Sequence, residues 1–276
     1  MVIAPVLWST GGVVTRHLER AGAFEQVFWR SLFAFLFILV FLMRRRGPWQ
    51  SLKAAGWPGW FSGALWALMF TAFVIALSLT TIANTLIVMS VSPVATALLA
   101  SAVLREHVPV RTWIACVAVV GGIAWMFSSS LDHSGHVAGM LVAATIPLAA
   151  AVNVVTLRAF AAKLDLVPAV MLGGALSAAI ALPFAFPFTA SPRDLVLLAF
   201  LGVFQLGLPC MLMVIASRTL LAPEIALLGL LEVVLGPIWA WLGIGEAPSR
   251  ATLAGGTVVL AALVMNELGS LRRRAG

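Results

Sequence analysis

Residues 54–104 read AAGWPGWFSGALWALMFTAFVIALSLTTIANTLIVMSVSPVATALLASAVL and contain no Asp, Glu, Lys or Arg. A helix needs about 20 residues to cross the roughly 30 Å hydrocarbon core of a bilayer. These 51 residues are therefore long enough for two membrane-spanning helices and a tight turn. The strands of a membrane β-barrel alternate apolar and polar residues, whereas this stretch is apolar at successive positions, which favours helices.

The whole chain shares this apolar character. Of its 276 residues, 62% are hydrophobic and 10% are charged, and the mean hydropathy is +1.08. A soluble domain is about 45–50% apolar and about 25% charged, and it could not bury so much apolar surface. This composition excludes an ordinary cytosolic enzyme, a secreted disulfide scaffold and a disordered chain. The two cysteines, Cys116 and Cys210, lie in apolar stretches, and we interpret them as free buried thiols.

Apolar stretches of similar length recur along the chain, with short polar connections between them. The first stretch has neither a basic n-region nor a small-residue cleavage site, so we interpret it as a span and not as a cleaved signal peptide. The pattern predicts an all-α membrane protein with ten transmembrane helices. The predicted spans are residues 2–18, 24–43, 57–78, 82–103, 110–128, 137–157, 168–187, 195–216, 225–243 and 251–268.

The distribution of Lys and Arg predicts the orientation, because cytoplasmic loops of membrane proteins are enriched in these residues. With ten spans, 12 of the 17 basic residues fall on one side, 4 fall on the other, and Arg30 lies inside a span. Both termini are then cytoplasmic. The net charge of +7 reflects this topology, so we expect no nucleic-acid partner. The basic runs at 44–46 and 272–274 are placed where they can touch anionic lipid headgroups.

The second half of the chain weakly echoes the first. Segment 92–106 overlays segment 232–246 at an offset of 140 residues, and the final glutamates of the two segments then match. A unit with an odd number of spans, used twice in tandem, enters the membrane from opposite sides. The resulting inverted repeat is the architecture of many secondary transporters, with a binding site near the midplane between the halves. We therefore predict two inverted five-helix repeats, residues 1–130 and 131–276.

Short motifs recur in a characteristic order and spacing over nearly the whole chain. They are Leu7-Trp8-Ser9-Thr10, Phe28-Trp29-Arg30-Ser31-Leu32, Ser92-Pro93, Leu104-Arg105-Glu106, Leu231-Glu232 and Gly245-Glu246. In this order they resemble the drug/metabolite transporter superfamily, specifically the EamA-type members with two five-helix repeats. Two departures affect the local shape of the site: Val233 stands where the family often has Pro, and Ala149-Ala150 stands where many members carry Trp.

The resemblance implies a metabolite carrier that works by alternating access, without a cofactor and as a monomer. It is greatest to the exporters of aromatic and neutral amino acids in bacterial inner membranes. The expected substrate is therefore a small molecule, with an amino acid favoured, and the expected location is the inner membrane. Export or uptake of another small metabolite or drug-like solute is the alternative.

Glu232 and Arg30 are the charged residues predicted to lie deepest in the membrane, where a charge is costly. Glu232 could titrate during transport or orient a substrate ammonium group; alternatively it is a structural partner of Arg30 or of a helix backbone. Arg30 could extend its charge to the outer interface, pair with Glu232, or bind a substrate carboxylate. So few charges suit a zwitterionic or neutral solute better than a polyanion.

The uncharged candidates for substrate binding are polar or aromatic residues within the predicted spans. The amides among them could instead hydrogen-bond neighbouring helices, and the tryptophans could pack in the core or stack on an aromatic substrate. The candidates are Trp8, Ser9, Thr10, Trp66, Ser90, Ser92, Asn153 and Gln205.

Other functional classes find little support in the sequence. Asp132, His133 and His136 share a predicted outer loop, which we interpret as solvated, and we expect no metal site. The sequence has no phosphate-binding Gly-x-x-x-x-Gly-Lys-Ser/Thr motif, no His-Glu-x-x-His and no Gly-x-Ser-x-Gly. A membrane-embedded enzyme and a channel therefore remain the less favoured alternatives to a carrier.

Overall fold

The structure is a computed structural model that describes residues 1–45, 47–80, 82–126, 137–245 and 249–275. Across these ranges the chain is helical and has no strand, which confirms the predicted all-α class. Short segments at Ala100–Leu104 and Leu201–Gly207 are π-helical. The α-helices are α1 Ile3–Ser9, α2 Gly11–Thr15, α3 Ala23–Met43, α4 Pro48–Leu79, α5 Ile82–Met89, α6 Ser92–Leu99, α7 Val110–Met126, α8 Val137–Phe160, α9 Val167–Ala185, α10 Pro192–Phe200, α11 Leu208–Ala216, α12 Ala222–Gly229, α13 Leu231–Ile244 and α14 Arg250–Ala275.

Within the described ranges, seven helical segments are long and apolar enough to cross a membrane. Three shorter apolar helices, Ile3–Thr15, Val110–Met126 and Arg250–Asn266, coincide with the predicted first, fifth and tenth spans. The total of ten spans therefore stays a prediction. Two boundaries differ clearly. Helix α14 continues to Ala275, beyond the predicted end at residue 268. Helix α4 begins at Pro48 and not at residue 57, because an additional helical segment precedes the predicted third span and meets it at a kink at Gly56, with φ 58° and ψ −157°.

Within the described residues, the regular α-helical hydrogen bonding of three predicted spans is interrupted at one turn, although the backbone there stays in the right-handed helical region. The first is divided at Thr10, between α1 and α2. The fourth is divided at Ser90 and Val91, between α5 and α6, and the ninth is divided at Leu230, between α12 and α13. The last two interruptions are separated by the same 140 residues that relate the two halves of the sequence.

The helices pack closely where glycine allows the backbones to approach. Helix α9 lies between α3 and α4, and α4 also packs along α8. Gly202 faces α3 so closely that an added Cβ would be 2.6 Å from the carbonyl oxygen of Arg30 and 2.5 Å from the Cβ of Phe33. Small residues bring helices together in this way in membranes, where the hydrophobic effect between helices is absent.

The bundle has two ends with different charge. We call the end that carries Arg45, Glu106, Arg158, Lys163 and Arg218 the basic end. Ion pairs there join Arg158 to Glu106 and Arg218 to Asp165. We call the other end, which carries Glu19, Glu25, Arg193 and Asp194, the opposite end.

Several residues singled out from the sequence lie outside the described residues. They are Arg46, Asp132, His133, His136 and Glu246.

Candidate functional site

The interrupted first span lies directly against α13. The hydroxyl of Ser9 donates to the carbonyl of Val6 at 2.7 Å and accepts a hydrogen bond of 2.8 Å from the indole nitrogen of Trp239. The hydroxyl of Thr10 donates to the carbonyl of Leu7 at 2.7 Å, so both side chains cap backbone groups at the interruption. Unwound helices form the binding sites of many secondary transporters, but Thr10 keeps helical angles of φ −71° and ψ −18°, so the first span is not unwound here.

One face of α13 carries Glu232, Gly236, Trp239 and Gly243, which are separated by intervals of three or four residues. Trp239 contacts Ser9, as described above, and an added Cβ at Gly243 would be 3.0 Å from Val13 in α2. An added Cβ at Gly236 would meet no atom within 4 Å. Glu232 is partly exposed and lies one turn from this open space, on the face of α13 that meets the first span.

Arg30 is held inside the bundle rather than at its surface. Its side chain is 8% exposed, so the interpretation that it extends to the interface is wrong for this conformation. Its Nε is buried and has no hydrogen-bond partner in the described part of the chain. The close approach of Gly202 to the carbonyl of Arg30 fixes this part of α3 against the π-helical segment Leu201–Gly207.

Cys210 connects these elements, although its sequence position suggested only a small buried hydrophobic residue. Its thiol lies beside the Trp8 indole and within electrostatic range of both the Arg30 guanidinium and the Glu232 carboxylate. Among the described residues, no ion pair joins Arg30 to Glu232. Arg30 and Glu232 therefore lie in the same region around this thiol, and they do not form an ion pair with each other.

Gln205 completes this region. Its side-chain nitrogen donates to the carbonyl of Trp8 at 3.4 Å, and an added Cβ at Gly11 would be 2.9 Å from that nitrogen. Its Oε1 is buried and has no donor among the described residues. π-helical segments often occur at functional sites, and Gln205 lies within one. We call Trp8, Arg30, Gln205, Cys210 and Glu232 the central cluster.

Asn153 and Trp66 lie at a second polar position, between α4 and α8. Asn153 is fully buried, and its Oδ1 accepts a hydrogen bond of 2.6 Å from Ser62, a partner that sequence reasoning missed. Ser62 and Trp66 are four residues apart, so they share a face of α4. The Asn153 Nδ2 and the Trp66 Nε1 are buried donors without an acceptor in the described ranges.

The remaining predicted binding residues are not part of the central cluster. Ser90 donates to the carbonyl of Ile87 at 2.6 Å, which satisfies its hydroxyl at the interruption between α5 and α6. Ser92 begins α6 and is partly exposed. Within the described residues, no group of three or more His, Cys, Asp or Glu side chains could hold a metal ion.

Trp239 is a further residue that sequence reasoning missed. It lies seven residues after Glu232, so helical periodicity alone could have placed the two on one face. The contact with Ser9 could not have been read from periodicity, because it depends on which helix packs against that face.

Comparisons with known proteins agree with this architecture. The profile of the EamA-like transporter family matches residues 1–128 and 137–267. In the comparison with solved structures, 28 chains match the fold. One of these, a protein crystal structure, superposes with a TM-score of 0.82 at 20% sequence identity, over 98% of this chain and 96% of that chain. A comparison with curated proteins returns no significant match.

Proposed function

The chain belongs to the EamA-like transporter family, and from this membership and the central cluster we propose that it exports aromatic and other neutral amino acids by alternating access. In this proposal the protein works as a monomer in the bacterial inner membrane, with its basic end in the cytoplasm. The substrate binds between two inverted five-helix repeats, close to the bilayer midplane.

The interruptions at Ser90–Val91 and at Leu230 support the two-repeat arrangement. They fall 140 residues apart, in the fourth and ninth predicted spans, which are equivalent positions in two units of five. The family profile also matches the chain as two separate segments of similar length. Two such units would let one half rock against the other around a fixed site.

The separation of Arg30 from Glu232 is the observation that carries the choice of substrate class. Both side chains lie within electrostatic range of Cys210, yet the described residues contain no ion pair between them. Unpaired charges at membrane depth are costly, so a solute that neutralises both would be favoured there. An α-amino acid does so, because its carboxylate matches the guanidinium and its ammonium group matches the carboxylate.

The aromatic and apolar surroundings favour an apolar side chain on that amino acid. The Trp8 indole lies beside Cys210, and Trp66 packs against Phe70 with 5.5 Å between ring centroids. Trp66, Phe70 and Cys210 belong to one buried apolar cluster, against which Trp8 packs. Offset or edge contacts between aromatic rings contribute about 0.5–1.5 kcal/mol beyond the burial of their area.

Counterflow in liposomes tests the proposal. Purified protein is reconstituted, the liposomes are loaded with unlabelled phenylalanine, and entry of labelled phenylalanine is followed with and without competitors. The competitors are neutral amino acids, nucleosides and drug-like cations. We expect saturable exchange that neutral amino acids inhibit and that needs no nucleotide.

Two results would overturn the proposal in different ways. Exchange of no neutral amino acid would remove the assigned substrate while leaving the family unaffected. Flux that rises linearly with concentration, without saturation, would indicate a channel in place of a carrier. A variant of the exposed acid at the opposite end, Glu19→Gln, controls for unspecific loss of activity and should exchange phenylalanine as the unaltered protein does.

A further inference from the structure

A cleft with a volume of about 760 Å³ opens at the basic end of the bundle. It lies between the α3–α4 hairpin and the connection from α8 to α9, so it contacts both halves of the chain. Ligand-binding clefts in proteins have volumes of about 300–1,000 Å³. None of the residues that line the cleft belongs to the central cluster. The cleft is therefore distinct from the transport site described above.

The charge of this cleft is positive. Arg45 and Lys163 line it, and both side chains are exposed. The guanidinium of Arg45 lies over the ring of Phe41, 4.5 Å from its centroid, which holds it at the rim. Asp165, the one acid among the described lining residues, is 3.5 Å from Arg218 and is therefore partly neutralised. A ligand here would meet two cations, Arg45 and Lys163, for which the described residues show no ion pair.

The lining also includes the apolar residues Leu42, Ala54 and Leu164, which we call the apolar floor of the cleft. Nearby, Trp57 is 66% exposed and packs edge-on against Phe160, at the end of α8. Exposed tryptophans of this kind lie at the boundary between hydrocarbon and headgroups. The cleft therefore combines cations, an apolar floor and a position at the membrane surface.

We propose that this cleft binds the phosphate-bearing headgroup of an anionic phospholipid. Arg45 and Lys163 contact the phosphate, and the start of an acyl chain covers the apolar floor. Basic pockets between transmembrane helices on the cytoplasmic side bind anionic lipids in this way. Because the cleft lies between the two halves, a bound lipid would hold the α3–α4 hairpin against the α8–α9 connection.

Native mass spectrometry of the full chain in detergent tests the proposal. Phosphatidylglycerol is titrated, and phosphatidylcholine with the same acyl chains is the comparison. The cleft variant is R45Q/K163Q, and the control variant K53Q/R105Q removes two basic-end cations outside the cleft. A third variant, R45K/K163R, keeps both charges.

We expect the protein to prefer phosphatidylglycerol over phosphatidylcholine. Each juxtamembrane cation accounts for about 5-fold in affinity, so R45Q/K163Q should weaken phosphatidylglycerol binding by about 30-fold. K53Q/R105Q and R45K/K163R should stay within about 3-fold of the unaltered protein. Without lipid, the cleft variant should melt at the same temperature as the unaltered protein, because both substituted side chains are exposed.

Three results would overturn the proposal. Equal weakening in the cleft variant and in K53Q/R105Q would mean that only the overall surface charge matters. Equal binding of the two lipids would remove the role of the anionic headgroup. Inorganic phosphate that raises the melting temperature as much as phosphatidylglycerol does, with the increase lost in R45Q/K163Q, would assign the cleft to a free anion.

Discussion

The guanidinium of Arg158 donates a hydrogen bond of 2.9 Å to the carboxylate of Glu106, and this pair fastens three chain segments together at the basic end. Arg158 lies in the last turn of α8 and also donates to the carbonyls of Ser217 and Arg218. The other oxygen of Glu106 accepts a 3.4 Å hydrogen bond from the backbone of Ala222, where α12 begins. In a carrier that works by alternating access, the contacts at the basic end must break whenever the substrate site opens towards that end.

Glu106→Gln should weaken the contacts that join these three segments at the basic end. The substitution removes the charge from a pair whose side chains are only 14% and 26% exposed, which leaves the guanidinium poorly neutralised. We expect a loss of about 1–3 kcal/mol in the free energy of unfolding. The measurement is thermal or denaturant unfolding in detergent, with Arg158→Gln and the double variant completing a double-mutant cycle.

A coupling energy near zero in that cycle would contradict the assigned role. Glu19→Gln is the matched control, because Glu19 pairs with Arg193 at the opposite end while both side chains are at least half exposed. Such exposed pairs contribute about 0–1 kcal/mol, so this variant should change stability little.

Glu25→Gln should weaken the hydrogen bonds that hold the connection between α9 and α10 at the opposite end. The buried Glu25 carboxylate accepts hydrogen bonds from the backbone amides of Thr189 and Ala190 at 2.9–3.1 Å. A neutral amide has one acceptor oxygen in place of two, so it can satisfy fewer of these donors. We expect faster hydrogen exchange at Thr189 and Ala190, and unchanged protection at those two amides would refute the prediction.

Gly202→Ala should destabilise the contact between α3 and the π-helical segment. The added Cβ would be 2.6 Å from the Arg30 carbonyl oxygen. Because that oxygen is a backbone atom, the clash can be relieved only if one of the two helices shifts. Overpacking of this kind costs about 1–3 kcal/mol. Gly236→Ala is the control, because its Cβ would meet no atom within 4 Å. Comparable melting temperatures for the two variants would contradict the packing described here.

Asn153→Leu should lower transport by more than its effect on stability explains. The substitution leaves the buried Ser62 hydroxyl without its acceptor, and removing the Asn153 donor that has no described acceptor offsets part of that cost. Asn266→Leu is a matched control, since Asn266 also accepts from a hydroxyl, that of Thr112, and has an unpartnered Nδ2. We expect similar melting temperatures for both variants and slower phenylalanine counterflow for Asn153→Leu alone. Equal transport rates would exclude Asn153 from the site.

The sequence alone predicted the class of the fold and most of the helix positions. The second span was predicted at residues 24–43 and is observed as Ala23–Met43, because a helix in lipid must satisfy its backbone internally over a length that the bilayer sets. The kink at Gly56 was not predicted, since the apolar pattern continues through it.

The contacts between helices could not be predicted in the same way. These helices are apolar on most faces, so periodicity does not show that Cys210 lies within electrostatic range of Arg30 or that Ser62 meets Asn153. The capping box of Ser191 and Asp194 was readable from their spacing. Its second role, in which Asp194 accepts from the backbone of Glu19, depends on tertiary structure.

Competition by analogues of phenylalanine that lack one charge tests the central claim most directly. Phenylethylamine lacks the carboxylate, and 3-phenylpropionate lacks the ammonium group. In counterflow with the unaltered protein, we expect phenylalanine to compete at least about 10-fold better than either analogue, because each charged hydrogen bond contributes about 1.5–3 kcal/mol. Arg30→Gln should abolish the advantage over phenylethylamine alone, and Glu232→Gln should abolish the advantage over 3-phenylpropionate alone. Equal competition by all three compounds in the unaltered protein, or the same uniform weakening in both variants, would contradict a site in which Arg30 and Glu232 bind the two charges of one amino acid.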